Sequence, residues 1–192
     1  MKTVFFDVDT QYDFMTAAGA LAVPRAGRLI PVVGALNQWA WDRGAPVVST
    51  TDAHAENDAE FKIWPAHCVA GTWGQLKPAP TLHGGRMLVQ NRAAAAIPDA
   101  PQYLVEKQTN DCFTNVNLPA LLERLGAERY VVYGVVTEYC VRCALMGLLG
   151  TGRRVEVVTD AIETLNPADS AKTLAEFVSA GGHLVRMAEI LA

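Results

Sequence analysis

Tyr130-Val131-Val132-Tyr133-Gly134-Val135-Val136-Thr137-Glu138-Tyr139-Cys140-Val141-Arg142-Cys143 begins as an unbroken apolar run, breaks at a glycine and continues with a helical pattern. A continuous β-branched and aromatic run, without polar alternation, marks a strand covered on both faces, as in a parallel sheet. The stretch therefore reads as a strand over 130–136, a tight turn at Gly134, and a helix over 138–149 capped by Thr137. Similar apolar runs recur at 3–8, 46–49, 103–105, 155–159 and 183–186, with helical patterns at 26–42, 117–125 and 168–180. Strand alternating with helix predicts an α/β three-layer sandwich around a mostly parallel, six-stranded sheet.

The chain of 192 residues, 51% hydrophobic and 19% charged, suits one domain spanning 1–192 with a single sizeable core. Between about 52 and 100 the strand–helix rhythm lapses into an irregular insertion holding two of the four tryptophans and three of the four histidines. Long irregular segments in compact domains are more often functional than idle. A net charge of −4 with scattered basic residues offers no footprint for nucleic acid or an anionic membrane. No apolar run has the length of a membrane span or of a signal-peptide core. Four cysteines (Cys68, Cys112, Cys140, Cys143) are too few for a disulfide scaffold and read as reduced thiols in a cytoplasmic protein. Small-molecule chemistry is the expectation that remains, and self-association is left open.

In a parallel sheet, ligands bind beyond the carboxyl ends of the strands. Three chemistry-bearing residues fall there. Asp7-Val8-Asp9 ends the first strand, and two aspartates so spaced point to one side if the strand runs that far. Their plainest role is to cap a turn. An apolar strand ending in Asp-x-Asp also opens haloacid-dehalogenase phosphatases, but Thr10-Gln11 replaces the Gly-Thr expected there, and Val158-Thr159-Asp160 is a loose match for the later acidic motif. Lys107 ends the 103–105 strand. Cys140 sits in the first helical turn after Gly134, where free N–H groups and the helix dipole favour a thiolate and can receive an oxyanion. Cys140 and Cys143 form a Cys-x-x-Cys pair, yet Val-Arg between them is unlike the dipeptides of thioredoxin-type enzymes. An acid, an ammonium and a thiol at three strand ends make a nucleophilic site.

Together Asp9-Thr10-Gln11-x-Asp13-Phe14, Lys107 and Gly134-Val135-Val136-Thr137-x-x-Cys140-Val141 resemble the Asp–Lys–Cys arrangement of isochorismatase-like cysteine hydrolases, in particular the nicotinamidase/pyrazinamidase branch. The resemblance implies a Rossmann-like isochorismatase fold and hydrolysis of a small-molecule amide, nicotinamide first among the substrates. By the same resemblance Asp9 is the general base, Lys107 the third triad member, and Cys140 the nucleophile that forms a thioester. It also implies a cis peptide at Val135–Val136 and an oxyanion hole at the Val136 and Cys140 amides.

Asp52-Ala53-His54 after the second strand and His67 after Trp64-Pro65 form a mixed N/O set suited to zinc, iron or manganese. The nicotinamidase branch carries a divalent transition metal, most often pictured as zinc, at positions matching Asp52, His54 and His67, with aromatic residues matching Phe14 and Trp64 beside the substrate ring. Glu56, Asp58 and Glu60 compete for the remaining acidic ligand. Glu60 is preferred because it lies seven residues before His67, as in the glutamate-containing variant of the family. Gln108 to Asn115 departs from the Gly- and Tyr-rich sequence of many nicotinamidases, so the substrate is less determined than the triad. The alternatives are a metal-free amidase or carbamoyl hydrolase on the same triad, and a non-catalytic ligand- or metal-binding protein.

Overall fold

The computed structural model describes residues 1–94 and 96–192. Seven strands, β1 (Thr3–Val8), β2 (Val47–Asp52), β3 (Met87–Val89), β4 (Gln102–Lys107), β5 (Arg129–Gly134), β6 (Arg154–Ile162) and β7 (His183–Val185), pair in the order β3-β4-β2-β1-β5-β6-β7. Every pairing is parallel. The sheet thus has one strand more than the expected six. The addition is β3, three residues at the sheet edge with Leu88 50% exposed, too short and too open to carry a readable period.

Among the described residues six α-helices complete the fold: α1 (Tyr12–Met15), α2 (Leu29–Asp42), α3 (Leu118–Leu125), α4 (Arg142–Leu149), α5 (Pro167–Ser179) and α6 (Met187–Leu191). Alternate strand residues feed two cores. Val4, Phe6, Val8, Tyr130 and Val132 pack with leucines of α3 and α4 and with Phe177 of α5. Phe5, Val131 and Tyr133 pack with Leu29, Val33 and Leu36 of α2 and with Ile190 of α6. Covering both faces is what turns the strands into continuous apolar runs rather than alternating ones.

From β1 the chain adds strands on one side (β2, β4, β3), and from β5 it adds them on the other (β6, β7). The reversal between β1 and β5 opens a crevice at their carboxyl ends, the usual ligand position in such sheets. Register then fixes what meets there. Val8 pairs with Gly134 across β1 and β5, and Asp52 pairs with Lys107 across β2 and β4. Gly134 is demanded by this closure: its φ is +122°, and a Cβ on it would lie 2.1 Å from the Val8 carbonyl oxygen.

The stretch expected to be irregular contains β3 and three short 3₁₀ turns (Ala59–Lys62, Trp73–Gln75, Ala79–Thr81); position 95 lies outside the described residues. Buried polar side chains pin it. Gln11 donates to the Asp52 and Gln75 carbonyls (2.9 and 2.8 Å) and accepts from the Asp52 N–H (2.7 Å). Asp13 accepts from the Cys68 N–H at 2.7 Å. Among the described residues no helix is long and apolar enough to cross a membrane.

Candidate active site

β1 ends at Val8, and Asp9 takes a left-handed φ of +49°. A non-glycine residue in that region is uncommon and costs ~1–3 kcal/mol, which is often found where a side chain must be aimed. Asp7 and Asp9 consequently part company, since β1 stops short of Asp9 and the condition under which they would share a side is not met. Asp7 accepts from Thr10 Oγ1 (2.8 Å), Ser49 Oγ (2.9 Å) and Lys77 Nζ (3.2 Å). Asp9 turns into the crevice, where its Oδ1 accepts from Thr50 Oγ1 at 2.6 Å and its Oδ2 lies 2.8 Å from Lys107 Nζ.

Cys140 enters from the other side of the crevice. The Val135–Val136 peptide is cis, as the resemblance implied. Residues Thr137–Val141 form a single wide helical turn, with the Val141 N–H donating to the Val136 carbonyl at 3.1 Å, before α4 begins. Such π-turns are frequent at functional sites. Thr137 does not cap the helix. Its Oγ1 donates to the Glu163 carbonyl at 2.8 Å, so this hydroxyl is spent on tying the turn to the end of β6. Lys107 Nζ donates to Cys140 Sγ at 3.6 Å, and the sulfur in turn donates to Asn110 Oδ1 at 3.6 Å.

Asp9, Lys107 and Cys140 are thus brought together in a nearly closed environment, at 1%, 0% and 6% exposure. Burial raises the Asp9 carboxyl above its usual range; Lys107 opposes that rise and Asp52 adds to it. Burial alone would lower Lys107, but Asp52, Asp9 and Cys140 together hold it well above its ordinary value. Burial also pushes the Cys140 thiol well up, with Lys107 opposing and Asp9 and Asp52 adding. Desolvation therefore works against the thiolate that the helical position favours.

Asp52, His54 and His67 come together as a second cluster, their ligand atoms all within 4.8 Å of one another. Asp52 Oδ2 lies 3.8 Å from His54 Nε2 and 3.7 Å from His67 Nε2. The other ring nitrogens are already held, His54 Nδ1 by Asp58 Oδ2 (3.1 Å) and His67 Nδ1 by the Pro65 carbonyl (2.7 Å). His54 Nε2 is buried without a hydrogen-bond partner. Two imidazoles oriented by outer partners, with their free nitrogens converging on one carboxylate, fit a divalent transition metal. Glu60 lines the same pocket but its carboxylate is not in the cluster, Asp58 supports His54 from behind, and Glu56 is exposed. Burial would raise Asp52, yet Lys107 and hydrogen bonds from His54 and His67 hold it far below the carboxylate range.

Cys140 of the first cluster and Asp52 and His67 of the second line one pocket. Its lining is apolar at Phe14, Leu21, Trp64, Tyr139 and Leu165, and polar at Asp52, Glu60, His67 and Asn110. Phe14 packs against His67 at 5.4 Å between ring centroids, and Trp64 meets Tyr139 edge-on at 5.3 Å. The pocket is narrow, its atom-free space being about 350 Å³ including the open solvent at its mouth. Leu21, Leu165 and Tyr139 escaped the sequence reading, while Asn110 lies in the 108–115 stretch expected to bear on the substrate. Tyr139 adjoins Cys140 and could have been found from that; the leucines carried no signal beyond apolarity.

The sequence pattern of the Isochorismatase domain matches residues 3–189. The chain belongs to the isochorismatase family. Nicotinamidase of Escherichia coli (strain K12) is 30% identical to this member over 208 residues, covering 95% of this chain and 93% of that protein. The pyrazinamidase of Pyrococcus horikoshii in complex with zinc superposes with a TM-score of 0.81 at 28% identity, covering 97% of this chain and 99% of that one. N-carbamoylsarcosine amidase from Thermoplasma acidophilum superposes at 0.77 with 25% identity and 97% coverage of both chains. This isochorismatase-family member is a nicotinamidase-like amide hydrolase, and an Asp–His–His group suited to a divalent metal lies in its crevice.

Proposed function

We propose that the protein is a metal-containing nicotinamidase that releases ammonia from nicotinamide through a cysteine thioester. The observation that carries this reading is that Cys140, paired through Lys107 with Asp9, and Asp52 and His67 of the Asp–His–His group line one small aromatic-walled pocket. Asp9 takes the thiol proton at its Oδ2, which is turned into the crevice beside Lys107 Nζ at 2.8 Å. The sulfur then attacks the amide carbon, and the oxyanion so formed is received by the backbone N–H groups of Val136 and Cys140. Protonated Asp9 returns its proton to the departing nitrogen, ammonia leaves, and water admitted to the thioester releases the acid and restores the thiol. Lys107 keeps Asp9 in place and offsets its charge while the proton moves.

Asp52, His54 and His67, with Glu60 beside them, would hold a divalent transition ion, zinc first and iron or manganese as alternatives. When bound, such an ion supplies an electrophilic position for a ring nitrogen of the substrate. Phe14 and Trp64 flank that ring. The test is ammonia release from a panel of nicotinamide, pyrazinamide, aliphatic amides and carbamoyl compounds, with elemental analysis of the protein as isolated. Preference for the pyridine and pyrazine amides with bound metal supports the reading. Activity confined to carbamoyl compounds in a metal-free protein would replace it with the carbamoyl hydrolase alternative.

A further inference from the structure

Asn110 follows Lys107 by three residues and faces the pocket from the segment whose sequence departs from many nicotinamidases. The segment is held firmly. Lys107 Nζ donates to the Thr109 carbonyl at 3.0 Å, Asp111 accepts from the Phe113 N–H at 2.9 Å, and buried Asn115 donates to the Glu106 carbonyl at 2.7 Å. Asn110 Oδ1 accepts from Cys140 Sγ at 3.6 Å. A thiol has a single proton to donate. In the resting site Asn110 competes with Asp9 for it, and a neutral carboxamide is far too weak a base to take it away. The bond to Asn110 is therefore unproductive, and attack requires that something else occupy Oδ1.

A substrate whose carbonyl carbon stands over Sγ brings its own amide nitrogen into reach of the same oxygen. We propose that Asn110 is a specificity-determining residue whose Oδ1 accepts an N–H of a primary carboxamide substrate, turning the Cys140 thiol toward Asp9. The proposal rests on the amidase reading above and adds what selects the amide. An ester or the carboxylate product has no N–H at that position, so Oδ1 faces another acceptor. A site built around a hydrogen bond rejects the analogue that cannot make it, because a buried polar group is left unpaired. Primary amides are thereby favoured over esters of the same acid, and the acid product is pushed out.

The test compares kcat/KM for nicotinamide and methyl nicotinate, or for whichever primary amide is cleaved fastest and its methyl ester. The proteins are the unmutated enzyme, Asn110→Ala, Asn110→Leu and Asn110→Asp. Removing the acceptor in Asn110→Ala should lower the amide-to-ester ratio about tenfold, the worth of one hydrogen bond of ~1–1.5 kcal/mol. Asn110→Leu, close in volume, should do the same, so a poorly folded alanine variant does not stop the measurement. Asn110→Asp keeps an acceptor and should keep the ratio while slowing both substrates. An unchanged ratio in the alanine and leucine variants, with ammonia still released, overturns the role of Asn110 alone. No ammonia from any amide with the unmutated enzyme overturns the amidase reading, and this role with it.

Discussion

Lys77→Met tests the structural role of Asp7, the aspartate inside β1. Lys77 and Asp7 are 2% and 0% exposed in their side chains and 3.2 Å apart. Lys77 Nζ also donates to Thr10 Oγ1 at 3.0 Å, and Asp7 draws its other hydrogen bonds from Thr10 and Ser49. Those hydroxyls are neutral, so the ammonium is the cation that offsets the buried carboxylate. Removing one partner of a buried pair typically costs ~3–5 kcal/mol, because a charge is left without its counter-ion. For a chain of this size that is a fall in melting temperature of roughly 6–20 °C, at ~2–4 °C per kcal/mol. Asp7→Asn should cost a similar amount by stranding the lysine. The double variant should lose less than the sum, with a coupling of about 2 kcal/mol, inside the range for residues in direct contact. Urea denaturation of all four proteins measures this cycle. Activity, read at a temperature where every variant is folded, should stay within about tenfold, since neither side chain lines the pocket. Additive losses, or a lysine variant within ~0.5 kcal/mol of the parent as for an ordinary surface site, would refute the pairing argument.

Cys140→Ala should abolish ammonia release while leaving the circular dichroism spectrum and melting temperature near the parent's; Cys143→Ala should keep most activity, and equal loss in both would revive a redox pair. Asp9→Asn should lose ~10²-fold or more of kcat/KM, as for removal of a general base. Asp9 must be ionised to accept the thiol proton, and its folded pKa is raised by burial, so activity should fall as pH drops through a value above the ordinary ~3.9 of an aspartate. An acid limb at or below that value would exclude Asp9 as the base. Glu60→Ala should lower metal content after dialysis; Asp58→Ala should lower it too, by ~10–100-fold in affinity through loss of the His54 partner, while Glu56→Ala should not. Unchanged metal content in Glu60→Ala would remove Glu60 from the ligand set.

The sheet was legible because strands buried on both faces announce themselves as continuous apolar runs, and positions at their carboxyl ends follow from topology alone. That reasoning placed Asp9, Lys107 and Cys140 at one edge. It failed where tertiary context decides. β3 is three residues on an edge, and nothing in Met87-Leu88-Val89 distinguishes a strand from a loop. Thr137 has the side chain of a helix cap, but the Glu163 carbonyl competes for its hydroxyl. Lys77 lies in an ordinary loop sequence, and only the close approach of that loop to β1 and β2 makes it a buried ion. The burial around Cys140 was out of reach for the same reason: helix position is local and readable, whereas desolvation is not.

Asp52 shows why the two groups of side chains adjoin. Its Oδ1 accepts a short hydrogen bond from Lys107 Nζ, while its Oδ2 faces the two imidazole nitrogens. Lys107 in turn spans Asp52 and Asp9. Within the triad's own surroundings one ammonium stands against two carboxylates, so burial leaves a residual negative charge that must be offset locally. A third imidazole at position 52 would serve the ligand cluster but give Lys107 a single anionic partner, drawing it wholly to Asp9 and weakening that carboxylate as a base. A carboxylate at 52 divides the lysine's charge between the two acids and still presents an oxygen to His54 and His67. The acid at this position therefore contacts Lys107 through one oxygen and the two imidazoles through the other, joining the two groups of side chains.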